Sequence, residues 1–121
     1  MDRRKLGQYG ENIAAQFLER RGFSIVWRNF QTRWGEIDLV AEKDSRLHFV
    51  EVKTRSGVDY GAGEEAIGRF KQLRLLGAAK MYIAKFQPVE KFYQIDSINV
   101  LLNKAQKTAK FRYLENIVSE S

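Results

Sequence analysis

Cysteine is absent from the 121 residues, and proline and histidine each occur once. Without cysteine there are no disulfides, no thiol catalysis, no zinc ribbon and no iron–sulfur cluster. With His48 as the only histidine, no multi-histidine metal site can form, so metal chemistry would have to use carboxylates. Also missing is an apolar run near the roughly 18 residues that a membrane helix needs, because charges interrupt every stretch. The opening Met1-Asp2-Arg3-Arg4-Lys5 leads into a polar amphipathic pattern without an apolar core or a small-residue cleavage site. It does not read as a signal peptide. The expectation is a soluble cytoplasmic domain with no membrane partner. What is present suffices for one core of ordinary size: 44% of the residues are hydrophobic, and there are eight Phe, five Tyr and two Trp. That length and content predict a single domain over residues 1–121.

The net charge of +6 is unevenly spread. Basic and acidic side chains cancel over residues 1–65. Residues 66–112 carry ten basic side chains against only Glu90 and Asp96. Such an excess is the footprint of a polyanion partner, nucleic acid above all. The alternative is a solvated, lysine-rich surface, and charge alone does not separate the two.

Apolar spacing predicts a helix over residues 5–21, with Leu6, Tyr9, Ile13, Ala14, Phe17 and Leu18 on one face and Gly22 as its stop. Residues 23–32 are β-branched and aromatic and read as a strand. Residues 35–42 and 47–55 form a hairpin about the turn Lys43-Asp44-Ser45-Arg46. A glycine-rich loop follows over 56–63. A long helix is expected over 64–86, with Ala66, Phe70, Leu73, Gly77, Met81 and Ala84 on its buried stripe, closed by Pro88. Strands at 92–102 and 111–118 flank a basic linker, 103–110. The order α-β-β-β-α-β-β predicts an α/β sandwich, a mixed sheet of about five strands with a helix on each side.

The hairpin carries charges where strands normally do not. Glu36 and Asp38 share one face, with Ile37, Leu39 and Ala41 on the other. On the next strand Glu51 and Lys53 share a face, opposite to Val50, Val52 and Thr54. Pairing Glu42 with Leu47 puts Asp38 opposite Glu51, and Glu36 opposite Lys53 as a cross-strand ion pair. Like charges directly opposite repel. A divalent cation between Asp38 and Glu51 would turn that repulsion into coordination, and carboxylate oxygens suit Mg²⁺ or Mn²⁺. The competing register, slipped by two, pairs Asp38 with Lys53 on a solvated face.

These residues have a family likeness. Gly35-Glu36-Ile37-Asp38-Leu39-Val40-Ala41 followed by Phe49-Val50-Glu51-Val52-Lys53-Thr54-Arg55 resembles the PD-(D/E)xK nuclease signature, with Ile37 where the superfamily name has proline. More narrowly, the chain resembles the YraN family of predicted bacterial endonucleases, distantly related to archaeal Holliday junction resolvases. The likeness extends to Gly10-Glu11-Asn12-Ile13-Ala14-Ala15, Arg21-Gly22-Phe23, Arg28-Asn29-Phe30, Tyr60-Gly61 and Glu64-Glu65-Ala66-Ile67. It implies a restriction-endonuclease-like fold and metal-dependent hydrolysis of phosphodiesters in DNA, branched or junction DNA included. By resemblance Asp38 and Glu51 are metal ligands, with the Val52 carbonyl as a third and Glu11 from the first helix completing the shell. Lys53 would orient the attacking water or stabilise charge on the phosphate. Glu36 is a second-tier candidate. Junction cleavage by two symmetric cuts would imply a homodimer.

Arg55, and Arg69, Lys71, Gln72 and Arg74 on the basic helix, are candidate nucleic-acid contacts, with plain solvation the alternative. His48 reads as a strand filler rather than a catalytic base. Trp27, Trp34 and Tyr60 are able to stack on bases. For Trp27 packing is the better reading, and for Trp34 the choice is open. Against the nuclease stands a non-catalytic nucleic-acid-binding module that keeps the fold. A sheet-edge interaction domain has no exposed apolar run to support it.

Overall fold

The computed structural model describes residues 2–57 and 67–118. Its elements are α1 (Arg3–Arg20), β1 (Ser24–Thr32), β2 (Gly35–Lys43), β3 (Arg46–Ser56), α2 (Arg69–Phe86), β4 (Phe92–Asn103) and β5 (Thr108–Leu114). This is the expected order and a mixed α/β class. The five strands lie side by side as β1-β2-β3-β4-β5. All neighbours are antiparallel except β3 and β4, which are parallel. A parallel pair cannot be joined by a tight turn, and α2 lies in the required crossover.

Residues 37–41, 47–51 and 95–100 are buried without interruption, as strands covered on both faces must be. Against one face α1 packs Ala14, Ala15 and Leu18 on Leu39, Ala41, Val50, Ile98 and Val100. Against the other α2 packs Leu75, Ala78, Ala79 and Tyr82 on Val40, Leu47, Phe49 and Ile95. Among the described residues no helix is long and apolar enough to cross a membrane.

The local chemistry is legible at most boundaries. Asp2 caps α1 by accepting the Lys5 N–H at 2.8 Å. Gly22, at φ 92°, closes it, with Gly22 N–H bonded to the Glu19 carbonyl and Phe23 N–H to that of Leu18. The β2–β3 turn is two residues, Asp44 and Ser45, both at positive φ (53° and 62°), the backbone that matches strand twist. Three expectations are corrected. The second helix begins at Arg69, because Gly68 is extended (φ −64°, ψ 159°) and acts as its cap; residues 64–66 lie outside the described residues. The helix buries Leu75, Ala78, Ala79 and Tyr82, whereas Phe70, Leu73 and Met81 of the predicted stripe are exposed. The sheet lies against the other side of that helix. Finally, the last strand runs Thr108–Leu114 rather than 111–118, so the basic linker shrinks to a turn in which Asn103 Oδ1 accepts the Gln106 N–H. Most of the expected 56–63 loop, Tyr60 included, lies outside the described residues.

Two positions hold the frame tightly. At Gly10, an added Cβ would lie 1.7 Å from Thr54 Oγ1 and 2.7 Å from Thr54 Cβ. The missing side chain lets α1 touch β3 and brings Glu11 to the sheet. Gly10→Ala should lower stability by about 1–3 kcal/mol, the range for overpacking, measured as a shift in urea midpoint at constant slope.

Asp96 is fully buried on β4. Its carboxylate faces His48 Nδ1 at 2.7 Å and accepts from the Tyr113 hydroxyl at 2.5 Å, Gln94 Nε2 at 2.8 Å and the Asn116 N–H at 2.8 Å. Burial alone would raise its pKa; the bonds from His48, Tyr113, Asn116 and Gln94 overcome that and hold it below the ordinary carboxylate value. A depressed acid stabilises the fold above its unfolded pKa of 3.8, and that stability is lost as pH falls through the lower folded value. Asp96→Ala should cost about 3–5 kcal/mol, as when one partner of a buried pair is removed, and should flatten the acid limb of the stability–pH curve.

Candidate metal centre

The site lies where β2 and β3 separate. Their ladder runs from Lys43↔Arg46 to Leu39↔Val50 and stops there. Beyond it β2 continues along β1 (Phe30↔Ile37, Gln31↔Glu36), while β3 continues along β4 (Glu51↔Ser97, Lys53↔Asn99). At the fork the Val52 N–H donates to Asp38 Oδ2 at 2.8 Å.

The predicted Glu42↔Leu47 register holds, and the slipped register is excluded. The Glu36–Lys53 pair does not form, because the ladder ends before it; Glu36 instead accepts Gln31 Nε2 on β1 at 2.6 Å. Strict alternation also fails once. Ile37 is buried against α2 with Val40, not with Leu39 and Ala41 against α1. Asn29, on β1 beside this break, has φ 54°, a conformation that asparagine tolerates better than most residues.

From this fork Asp38 meets two sets of acids. Carboxylate oxygens of Glu11, Glu36 and Asp38 lie within 4.8 Å of one another. Glu51 also lies near Asp38, close enough for its charge to act on it. Both are buried, Asp38 at 7% and Glu51 at 8% exposure. Burial first and the Glu51 charge second push the Asp38 carboxyl up to about 8, against the pull of the Val52 N–H. Glu51 is also raised, by burial, although Lys71 and Lys53 draw it down. Lys71 of α2 reaches Glu51 at 3.3 Å and is itself half exposed.

Donor chemistry fits a hard divalent cation. The hydrogen bonds orienting the three clustered acids come from neutral groups: Asn29 Nδ2 on Glu11 at 2.8 Å, Gln31 on Glu36, and the Val52 N–H on Asp38. Neutral donors aim the carboxylates without cancelling their charge. The cluster can therefore hold a metal ion, with Glu11, Glu36 and Asp38 as the shared set. Glu36, only second-tier in the sequence, is a full member. Glu51 adjoins Asp38 but stands outside that set of three, turned toward Lys71.

The remaining candidates are dispersed. Lys53 is half buried, near enough to Glu51 to act on its charge. Arg55 is exposed at the end of β3. Arg69 and Gln72 are in contact at 3.4 Å, and Gln72 Nε2 also donates to the Ile67 carbonyl at 2.8 Å. Arg74 Nε donates to the Trp34 carbonyl at 2.7 Å. Trp27 packs on Phe86, ring centroids 5.0 Å apart. His48 belongs to the Asp96 network. Sequence reasoning missed the amides of Asn29 and Gln31 and the Lys71–Glu51 pair. Arg28-Asn29-Phe30 was the only available hint.

Fold and site together define a mixed α/β protein with a carboxylate cluster at a fork in its sheet. The chain belongs to the family described as "Uncharacterised protein family UPF0102", whose pattern matches residues 10–100. This is the YraN family that the motifs resemble. A UPF0102 protein of Dictyoglomus thermophilum is 38% identical over 116 residues, 96% of this chain and 98% of the relative. One of Clostridium botulinum is 38% identical over 112 residues, 92% of this chain and 91% of the relative. One of Syntrophomonas wolfei is 50% identical over 80 residues, 66% of this chain and 70% of the relative.

Proposed function

We propose that this chain is a single-domain, cytoplasmic, Mg²⁺- or Mn²⁺-dependent endonuclease that hydrolyses phosphodiester bonds in DNA, branched or junction DNA included. The observation that carries the reading is the convergence of Glu11, Glu36 and Asp38 in a chain whose net charge is +6. Acids gathered against a basic background need a reason, and a metal supplies one. When bound, the cation polarises phosphate and lowers the pKa of water. Glu11, Glu36 and Asp38 would hold it, with Glu51 and the Val52 carbonyl as further oxygen donors. Lys53 would orient water or hold the proton that leaves it, and Lys71 would meet phosphate. Arg55, Arg69, Gln72 and Arg74 would track the backbone, and two coordinated cuts in a junction would require a homodimer.

The test is a cleavage assay over linear, single-stranded, flap and four-way DNA and over RNA, with Mg²⁺, Mn²⁺ or EDTA. Metal-dependent cutting supports the reading. Retained DNA binding with no cutting on any substrate would favour the binding module instead.

Binding itself should weaken steeply with salt. The ten basic side chains of residues 66–112 release one counterion per phosphate neutralised, giving a log–log slope of about −0.9 per contact on duplex DNA. Titrations at several salt concentrations measure it, and a flat slope would remove the nucleic-acid partner.

A further inference from the structure

The β1–β2 hairpin ends at the pair Thr32↔Gly35, which leaves Arg33 and Trp34 as its tip. Trp34 is 43% exposed, yet it is fixed in place. Its N–H donates to Thr32 Oγ1 at 3.0 Å, and its carbonyl accepts Arg74 Nε at 2.7 Å. The indole lies so close over Gly77 of α2 that a Cβ there would sit 2.8 Å from the ring. In the first turn of α2, Phe70 is 75% exposed. Trp34 and Phe70 both line a recess of about 210 Å³ with Leu75 and Ala78, and Lys71, Arg74 and Glu36 of the acid cluster line it too.

We propose that Trp34 and Phe70 hold an unpaired nucleobase beside the carboxylate cluster. This rests on the nuclease reading and narrows its substrate to nucleic acid with a single-stranded stretch at the cut. Aromatic rings accept the face of any base. Arg33 lies 5.7 Å from the Trp34 ring and Arg74 5.8 Å from that of Phe70, so each ring carries a cation suited to the attached phosphates. The recess is small, matching one ring system rather than a larger ligand. Bases inside a duplex are stacked on one another and cannot enter it. A second copy of the chain fits this face poorly, because a two-fold contact would bring Arg33, Lys71 and Arg74 against their own counterparts.

The test uses Trp27→Phe protein, which leaves Trp34 as the sole tryptophan and its fluorescence as the reporter. It is titrated in EDTA with a short single-stranded oligodeoxynucleotide and with the blunt duplex of the same sequence. The single strand should quench Trp34 and the duplex should not. Phe70→Ala, at a position too exposed to endanger folding, should weaken single-strand binding by about 5- to 150-fold, the range for one lost base stack. In protein that keeps Trp27, Trp34→Ala should do the same by filter binding, and Trp34→Phe should restore most of it, while Mn²⁺ affinity stays at the wild-type value. Single-strand binding without quenching, or Phe70→Ala at wild-type affinity, overturns the proposal. So does a wild-type dimer in sedimentation that Phe70→Ala dissociates. Cleavage in Mn²⁺, measured on the same wild-type preparation, separates the two readings. Cutting without quenching removes the base site and leaves the nuclease. Quenching without cutting supports the base site and removes the nuclease.

Discussion

Lys53→Ala should lower single-turnover DNA cleavage by about 10²–10⁴-fold, the contribution of a positioned proton-transfer group, while Mn²⁺ affinity is retained. Lys53 lies two residues after Glu51 on β3, and alternation puts both on the side of the sheet toward α2. Its charge draws down the pKa of Glu51, which burial has raised. Removing it should therefore leave Glu51 harder to ionise, so the pH at which cleavage turns on should rise as the rate falls. Lys53→Arg keeps the positive charge but not a proton that can be lost. It should restore the onset pH without restoring the rate. A non-catalytic module gives a different pattern: no rate to lower, and a loss of DNA affinity worth one phosphate contact. Metal-dependent cleavage by Lys53→Ala at the wild-type rate would remove Lys53 from the chemistry.

The parts of this fold that were legible in the sequence are those fixed by chemistry within a few residues. Gly22 at the end of α1, the Asp44-Ser45 turn, and the Glu42↔Leu47 register it imposes can all be read locally. The fork was not legible, because a linear pattern assumes that a ladder, once in register, continues. Nothing in Gly35-Glu36-Ile37-Asp38 says that these residues pair with β1 alone and that the ladder to β3 begins only at Leu39. Hence the ladder pairs neither Asp38 with Glu51 nor Glu36 with Lys53; the first two still lie close together, while Glu36 lies beside Gln31 and the acid cluster. The stripe of α2 failed for a related reason. Phe70, Leu73 and Met81 have helical spacing, but periodicity reports only that apolar residues share a face, not that a sheet covers it. The missing cover is itself informative, since it exposes the Phe70 ring next to the site.

Asp38→Asn should make the metal-free protein more stable above neutral pH while abolishing its stabilisation by Mn²⁺. Asp38 is buried beside Glu51, with Glu11 and Glu36 close by, and its carboxyl is pushed up to about 8 from 3.8. An acid whose folded pKa exceeds its unfolded value holds its proton in the native state after the unfolded chain has released it. Its contribution to metal-free stability is then greatest below about pH 4 and falls as pH rises toward 8. Asparagine can still accept the Val52 N–H and carries no charge to repel its neighbours. The variant should gain about 0.5–2 kcal/mol in EDTA near pH 8, the size typical of relieving a functional-site strain, and its stability–pH curve should flatten. With Mn²⁺ at 100 times its Kd, the wild type should gain about 2.7 kcal/mol by mass action. The variant, one anionic ligand short, should gain little and cleave nothing. The order of melting temperatures thus reverses between EDTA and Mn²⁺, and thermal denaturation in the two buffers reads it directly. An Asp38→Asn protein less stable than wild type in EDTA at pH 8 would mean that the carboxylate supports the fold through its bond to Val52, and that the acids at the fork are not held together against their own repulsion.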